Sequence, residues 1–212
     1  EAIVIEELSR VDPSLGVMVA VHVGLCSMTI ALSGSETQKE KYLPKLASGE
    51  FLGAYSLSEA GSGTDAAAMV AKATDDGDCY TLNGEKMWVT NGTTADLFVL
   101  FAKVTDHPDY GKKSHGGVTC FIIEKGFEGF EIGKKEDKLG IRSSDTCTLI
   151  LNNCKVPKEN VLGEVGKGFP IAMNALDNSR IGIAAQGLGI AQGAYETALK
   201  YSKERETFGK PT

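Results

Sequence analysis

The strongest constraint on the fold of this chain is a series of short β-type segments in its middle part, between about residues 51 and 158. The segments are rich in β-branched and aromatic residues, and turn residues rather than long helical patterns separate them. They lie at residues 79–82, 87–90, 97–104, 117–124, 130–132 and 147–156. The pattern predicts an antiparallel β-barrel or β-sandwich as a central domain.

This region contains two Asn-Gly dipeptides at the ends of β-type segments. Asn83-Gly84 stands between the first two segments, and Asn91-Gly92 follows the second. Asn-Gly between two β-type runs is a strong local signal for a tight hairpin, because both residues accept a positive φ at low cost. The sequence therefore predicts a hairpin at Asn83-Gly84 and another turn at Asn91-Gly92.

Helical patterns precede the β region. Residues 2–11 are amphipathic, and Asp12-Pro13 suits the start of a further helix. Ser35 and Gln38 have the form of a capping box. Residues 1–50 are therefore predicted to form an N-terminal helical domain.

Helical patterns return after the β region. Apolar residues recur at spacings of three and four over residues 169–176, 181–192 and 194–203. Small residues should let a neighbouring helix approach closely. They are Ala184, Ala185, Gly187 and Gly189. The chain is thus predicted to be an α+β multidomain protein, with helical residues 1–50, a central β domain at 51–158 and the start of a C-terminal helical bundle at 159–212.

Residues 14–35 contain no Asp, Glu, Lys or Arg and are long enough to span a membrane. His22, Gly16 and Gly24 interrupt the stretch, and basic or aromatic anchors do not flank it. A buried helix of a bundle is the favoured interpretation, with a membrane helix as the alternative. The chain begins in an apparent helix without a methionine, so we expect it to be a fragment. Whether a targeting signal precedes it is left open.

Charge and cysteine content exclude other classes. The net charge is −6 and the basic residues are spread, which argues against a nucleic-acid partner. Five cysteines without a C-x-x-C spacing do not indicate a disulfide framework or a zinc site, and are expected to be reduced, mostly buried thiols. The three histidines have no acid or cysteine at ligand spacing and are treated as bystanders.

The segment Gly61-Ser-Gly63-Thr-Asp-Ala66 matches a dinucleotide-binding fingerprint letter by letter. That fingerprint needs a helix and a second parallel strand after it, whereas an Asn-Gly turn signal follows here. The match is therefore not interpreted as a nicotinamide site. A surface loop, in which Gly, Ser, Thr and Asp serve turns, is an equally simple interpretation of these residues.

Two segments carry a family resemblance. They are Tyr55-Ser-Leu-Ser-Glu-Ala-Gly-Ser-Gly-Thr-Asp65 and Lys86-Met-Trp-Val-Thr-Asn-Gly92. In residue identity and spacing they resemble the acyl-CoA dehydrogenase family, and the resemblance extends over essentially the whole chain. The segment Arg180-Ile-Gly-Ile-Ala-Ala-Gln-Gly-Leu-Gly-Ile-Ala-Gln192 looks most like short-chain and short/branched-chain members.

Strand alternation places Trp88 and Thr90 on one face, although a tryptophan in a strand is more often a core residue. A flat π surface beside a hydroxyl suits a flavin ring, and the resemblance implies an FAD site. The implied cofactor-binding residues are Tyr55, Leu57, Ser58, Gly63, Thr64, Trp88, Val89, Thr90, Arg205 and Phe208. Arg205 is expected to reach the FAD pyrophosphate of a neighbouring subunit, with Phe208 packed beside it.

The resemblance also implies where the substrate lies. The expected substrate-binding residues are Thr64, Asp177, Asn178, Ser179 and Arg180. From the residues alone, 177–180 could equally be a solvated turn at the start of a helix, with Asp177 stabilising the helix dipole.

The implied reaction is the α,β-dehydrogenation of a short or short/branched acyl-CoA to a trans-2-enoyl-CoA. A carboxylate removes the α proton while the β hydrogen leaves as hydride to FAD, and electrons pass on to an electron-transferring flavoprotein. In some members the base sits in the turn that matches residues 177–180, where this chain has Ser179. No catalytic residue is therefore assigned here, and a glutamate base is expected beyond Thr212.

The resemblance implies a homotetramer, located in the cytoplasm if the source is bacterial and in the mitochondrial matrix if it is eukaryotic. An acyl-CoA oxidase relative would share the same residues. An alternative from another class is a non-catalytic β-sandwich binding or assembly module with helical flanks.

Overall fold

The computed structural model describes residues Glu1–Thr212, and its N-terminal part is helical. The helices are α1 (Ala2–Val11), α2 (Pro13–Val19), a π-helical segment (Ala20–Ser27), α3 (Met28–Ser33) and α4 (Glu36–Ser48). Asp12 caps α2 by accepting a hydrogen bond from the Ser14 N–H at 2.8 Å, with Pro13 in the first turn. The predicted capping box is present, since Ser35 and Gln38 each bond the other's backbone N–H.

The central part is an eight-stranded sheet, and one long helix follows it. The strands are β1 (Gly53–Ser56), β2 (Lys72–Asp75), β3 (Cys79–Thr90), β4 (Leu97–Val104), β5 (Val118–Glu124), β6 (Phe130–Lys135), β7 (Thr146–Pro157) and β8 (Val161–Leu162). Helix α5 (Gly168–Glu204) is followed by a two-stranded ribbon of β9 (Glu206–Thr207) and β10 (Lys210–Pro211). The predicted order of helical, β and helical parts is confirmed.

The sheet is mixed and open rather than a closed antiparallel barrel. Its strand order is β6-β7-β3-β2-β4-β5-β8, and β1 lies beside β4. Most pairs are antiparallel, but β1 and β2 both run parallel to β4 along one edge of that strand. The predicted hairpin signals could not reveal parallel pairs, because these join segments that are distant in sequence.

The hairpin predicted at Asn83-Gly84 is wrong. β3 runs straight through both residues, and the extra residue of the bulge lies opposite them on β7, between Leu151 and Cys154. Gly84 has φ 142°, and a Cβ there would lie 2.9 Å from the Cα of Ala71. The glycine therefore allows a close backbone approach of Ala71 opposite the bulge of β7. A turn does follow at Asn91, whose φ is 67°.

Alternation along the strands separates two apolar cores. In β4, Leu97, Val99 and Phe101 face the helices, whereas the intervening residues face a second cluster to which no helix contributes. The Tyr80 and Phe121 rings, on β3 and β5, lie 5.5 Å apart although these strands are not neighbours in the sheet. The sheet therefore folds over its own inner face, as in a sandwich.

The uncharged stretch forms one continuous helix, Pro13–Ser33, with a mean hydropathy of 2.1 over its most apolar window. By length and composition it could cross a membrane, and 39% of that window is buried within this chain. Val21, Cys26 and Ile30 belong to the core between the sheet and the helices. His22 ties the helix down, because its Nδ1 accepts from the Gly53 N–H at 3.0 Å and its Nε2 bonds the Leu46 carbonyl.

α5 is one helix of 37 residues that packs against α1. The expected close approach is confirmed at Gly189, where a Cβ would lie 2.2 Å from the Glu6 carbonyl oxygen, and Ala185 is buried with Ile5. Ala184 is exposed, and a Cβ at Gly187 would meet nothing within 4 Å. Only one face of the small-residue run therefore serves packing.

Replacing Gly189 by alanine should destabilise the protein by about 1–3 kcal/mol, because the added methyl forces α1 and α5 apart. Gly187→Ala is the matched control and should stabilise it by about 0.5–1 kcal/mol, since it only improves helix propensity. Urea unfolding of both variants measures the difference. Equal stability of the two variants would contradict the packing described here.

Candidate functional site

One cavity collects most of the predicted cofactor residues. It has a volume of about 290 Å³, and its walls are mostly apolar. It is lined by Val21, Leu25, Tyr55, Leu57, Ser58, Gly63, Met87, Trp88, Thr90 and Leu176. Residues of the π-helical segment, of β1 and the loop after it, of the end of β3 and of the first third of α5 thus meet at this point.

Trp88 has the most unusual conformation in the cavity wall. It sits in a bulge of β3 between Lys86 and Val89, its φ is 56°, and its side chain is 62% exposed. A bulky residue in the left-handed region is strained, and such strain clusters at functional sites. An exposed, strained tryptophan at a cavity is a strong indication of ligand binding.

The bulge modifies the predicted alternation without separating Trp88 from Thr90. Both residues line the cavity, whereas Val89 is buried in the core formed by the strands. The Val89 side chain therefore faces away from the cavity. Tyr55 and Leu57, which are also buried, form its floor on the β1 side, and the Tyr55 ring packs on Phe101 at 5.3 Å.

The loop that contains Gly61 and Gly63, called the glycine-rich loop below, is stabilised by hydrogen bonds within the loop rather than by a following helix. Glu59 and Ser62 form a small β-bridge, and the Ser62 hydroxyl bonds the Asp65 carbonyl at 2.9 Å. A short 3-10 turn (Ala66–Ala68) leads to β2, which runs antiparallel to β3. The helix and parallel strand of a dinucleotide-binding unit are therefore absent.

A buried ion pair underlies this loop. The Lys86 ammonium lies 2.7 Å from Glu59 Oε1 and 3.0 Å from the Leu57 carbonyl oxygen, and its side chain is fully buried. The two Glu59 oxygens also accept the Val70 and Ala71 N–H groups at 2.6 and 3.1 Å. Burial lowers the pKa of Lys86, and the neighbouring carboxylate opposes this shift.

The remaining predicted residues lie outside the cavity. Thr64 is exposed one residue beyond the lining Gly63. Residues 177–180 do not open a helix, because they lie about ten residues inside α5. Asp177 and Arg180 form an exposed ion pair at 3.3 Å. The expectation of a turn at a helix start is wrong because the apolar pattern continues through it.

Arg205 directly follows α5 and Phe208 lies in the turn between β9 and β10, both away from the cavity lining. Both are exposed, Phe208 by 99%, and Arg205 makes no ion pair within the chain. Within this single chain they are therefore not part of the same site.

Four lining residues were not among the sequence predictions. They are Val21, Leu25, Met87 and Leu176. Val21 and Leu25 are four residues apart on the uncharged helix, so helical periodicity places them on one face. The sequence could not show that this face turns toward the loop after β1.

A second cavity, of about 470 Å³, has a basic lining. Its lysines are Lys72, Lys103, Lys112 and Lys113. Lys103 bonds the Ala67 carbonyl and Lys113 pairs with Asp109, whereas Lys72 and Lys112 are exposed to solvent. Ala68 and Met69, shortly after the glycine-rich loop, also line it, so one loop connects the two cavities.

The largest surface cleft, about 760 Å³, lies elsewhere, between α4 and β8. Its two lysines, Lys41 and Lys158, are paired with Glu124 and Asp75. Charge already neutralised in this way offers little to a ligand, so the smaller cavity at Trp88 is the better candidate.

Thiol and metal chemistry find no support at these cavities. All five cysteines are free, and burial raises the pKa of the Cys26 thiol to about 12, which keeps it protonated. No three His, Cys, Asp or Glu side chains are grouped to hold a metal ion.

The sequence matches three models of one family along its length. They are described as the acyl-CoA dehydrogenase N-terminal domain over residues 1–50, the middle domain over 54–154 and the C-terminal domain over 166–212.

Relatives with curated descriptions agree with these matches. The short-chain specific acyl-CoA dehydrogenase of Clostridium acetobutylicum is 52% identical over 208 residues, which is 98% of this chain and 54% of that protein. The mitochondrial short/branched chain specific acyl-CoA dehydrogenase of Rattus norvegicus is 45% identical over 98% of this chain and 47% of its own length. This chain thus spans about half the length of the curated relatives that it matches.

Solved structures share the fold. Butyryl-CoA dehydrogenase from Megasphaera elsdenii superposes with a TM-score of 0.94 at 48% identity, covering 99% of this chain and 54% of that one. An acyl-CoA dehydrogenase from Bacillus anthracis complexed with FAD gives a TM-score of 0.91 at 41% identity, covering 99% and 35%. A chain from a study of the electron transferring flavoprotein of Acidaminococcus fermentans gives 0.94 at 49% identity, covering 99% and 54%.

Proposed function

Because the chain belongs to the acyl-CoA dehydrogenase family, we propose that the protein catalyses the FAD-dependent α,β-dehydrogenation of a short or short/branched acyl-CoA to a trans-2-enoyl-CoA. Electrons pass to an electron-transferring flavoprotein, and the protein works as a homotetramer. It acts in the cytoplasm of a bacterium or the mitochondrial matrix of a eukaryote, since relatives of both kinds exist.

The observation that carries this proposal is the exposed, strained Trp88 beside Thr90 in a mostly apolar cavity. A flat apolar slot with polar groups at its rim fits an isoalloxazine ring. Trp88 offers a stacking surface, and the Ser58 and Thr90 hydroxyls offer hydrogen bonds at the edges. FAD bound there supplies the acceptor for the hydride.

The walls of the cavity also fit a short acyl chain. Val21, Leu25 and Leu176 are apolar, and the cavity volume of about 290 Å³ leaves little room for a long chain beside a flavin ring. The lysine-lined cavity suits the phosphates of the coenzyme A tail, because Lys72 and Lys112 present charge without a partner in the chain. Thr64 lies on the loop between the two, where it meets the pantetheine.

The catalytic base is proposed to come from residues beyond Thr212. No Asp or Glu lines the cavity. Glu59 is 5% exposed, and its oxygens are occupied by Lys86 and by two backbone N–H groups, so it is not available to remove a substrate proton. Ser179 occupies the alternative position of the base, and its hydroxyl bonds the Leu176 carbonyl.

Arg205 and Phe208 take part only in an assembly. Both are exposed just after α5, which leaves the Arg205 guanidinium free to bind a pyrophosphate from outside the chain. We place them against the FAD of a neighbouring subunit. Residues 177–180 would line the outer part of the acyl-CoA cleft.

The decisive experiment is the visible spectrum of the intact protein under anaerobic conditions. We expect a flavin spectrum that bleaches on addition of butanoyl-CoA or 2-methylbutanoyl-CoA. The corresponding acyl-pantetheine, which lacks the nucleotide phosphates, should need a higher concentration for half-bleaching.

The alternatives give different results in the same experiment. Bleaching followed by rapid recovery in air would favour an oxidase. A protein without flavin would overturn the proposal and favour a binding or assembly module.

A further inference from the structure

The Glu59–Lys86 ion pair is the most deeply buried charged group in the chain, and the proposed chemistry does not use it. The two side chains are 4% and 0% exposed. In every other ion pair of the chain each side chain is at least 29% exposed, and Lys158 and Asp75 are 43% and 34% exposed. A buried pair is a poor source of stability, because desolvation offsets most of the attraction. Its presence here needs another physical reason.

The pair joins the glycine-rich loop to the part of β3 that carries Trp88, and these are the two segments that form the sheet side of the cavity at Trp88. The ammonium holds the Leu57 carbonyl, and the carboxylate holds the Val70 and Ala71 N–H groups. The glycine-rich loop is thereby fixed at its beginning and at its end. Lys86 itself lies two residues before Trp88, at the start of the bulge.

The geometry of the cavity walls follows from this connection. Leu57 and Ser58 form one wall and Met87 and Trp88 the other. The two walls are joined directly by only one backbone bond, from the Met87 N–H to the Ser58 carbonyl at 2.9 Å. Without the ion pair, the strained Trp88 conformation and the loop would be free to relax independently.

We propose that Glu59 and Lys86 are positioning residues for the flavin site, a role that rests on the function proposed above. Neither touches the cofactor. They hold the hydroxyl-bearing loop and the Trp88 bulge at a fixed separation before FAD binds, so that binding does not have to order the site.

The test compares Glu59→Gln, Lys86→Met and the double variant with wild type in the intact protein. Lys158→Met removes a lysine from an exposed ion pair and is the matched control. We expect FAD binding to the apoprotein, followed by flavin fluorescence, to be at least about tenfold weaker in both single variants and unchanged in the control.

Two readouts report on the loop without FAD. Trp88 is the only tryptophan among these 212 residues. Its contribution to the fluorescence anisotropy of the apoprotein, taken as the difference from a Trp88→Phe protein, follows the bulge and should fall in the pair variants. Amide hydrogen exchange at Val70 and Ala71 should be faster in Glu59→Gln than in Lys158→Met.

The outcomes separate this inference from the proposed function. A wild-type protein that does not bind FAD would overturn the function, whereas equal FAD affinity in wild type and pair variants would overturn the positioning role alone. If the single variants do not fold, the double variant decides, because it leaves no unpaired buried charge. Normal FAD affinity and Trp88 anisotropy in the folded double variant would refute the inference.

Discussion

Trp88→Gly is expected to weaken FAD binding by roughly 10- to 100-fold, because stacking of a flat ring on an aromatic side chain contributes about 1–3 kcal/mol. The same change should leave the free energy of unfolding within about 1 kcal/mol of wild type, since glycine relieves the positive φ. Little apolar burial is lost, because Trp88 is 62% exposed. Flavin titration and urea unfolding measure the two effects.

Asn153→Gly is the control for this prediction. Asn153 also has a positive φ, of 51°, but it lies at the bulge of β7 and not at the cavity. It should bind FAD as wild type does. If Trp88→Gly were strongly destabilised with unchanged FAD affinity, Trp88 would be a structural residue and the proposed site would be wrong.

Phe101→Ala should destabilise the protein by about 3–5 kcal/mol, the usual result of a large cavity in a core. Phe101 is fully buried between the sheet and the helices, and its ring packs on Tyr55 at 5.3 Å. Thermal or urea unfolding measures the loss. Because Tyr55 lines the cavity, the variant should also bind FAD more weakly at temperatures where it is still folded.

Tyr195→Ala provides the comparison, since Tyr195 is 62% exposed on α5 and outside the core clusters. Its effect on stability should be below about 0.5 kcal/mol. A Phe101 variant that lost no more stability than this control would mean that the two-sided core is described incorrectly.

The sequence predicted the elements of the fold well where the signals are local. The capping box at Ser35 and the strand Leu97–Val104 appear as expected. It failed at Asn83-Gly84, where a dipeptide that favours a hairpin instead continues β3 opposite a bulge of β7. The difference is set by Ala71, whose backbone packs against Gly84 from a distant loop.

The candidate site shows the same division. The motif that carries the family resemblance contains Tyr55, Leu57, Ser58, Trp88 and Thr90, and these residues do meet at one cavity. The opposite wall comes from the uncharged helix and the first third of α5. Nothing local in those segments distinguishes a residue that faces a ligand from one that faces the core.

The sequence by itself determined the order of the helical and β parts, and it also identified the family. Periodicity, helix caps and the residues of a motif are all properties of neighbouring positions in the chain. Only the tertiary structure decided the parallel pairing of β1 with β4, the positive φ of Trp88 and the burial of Lys86 against Glu59. Each of these depends on which distant segments exclude water from one another, and that is a property of the packed chain.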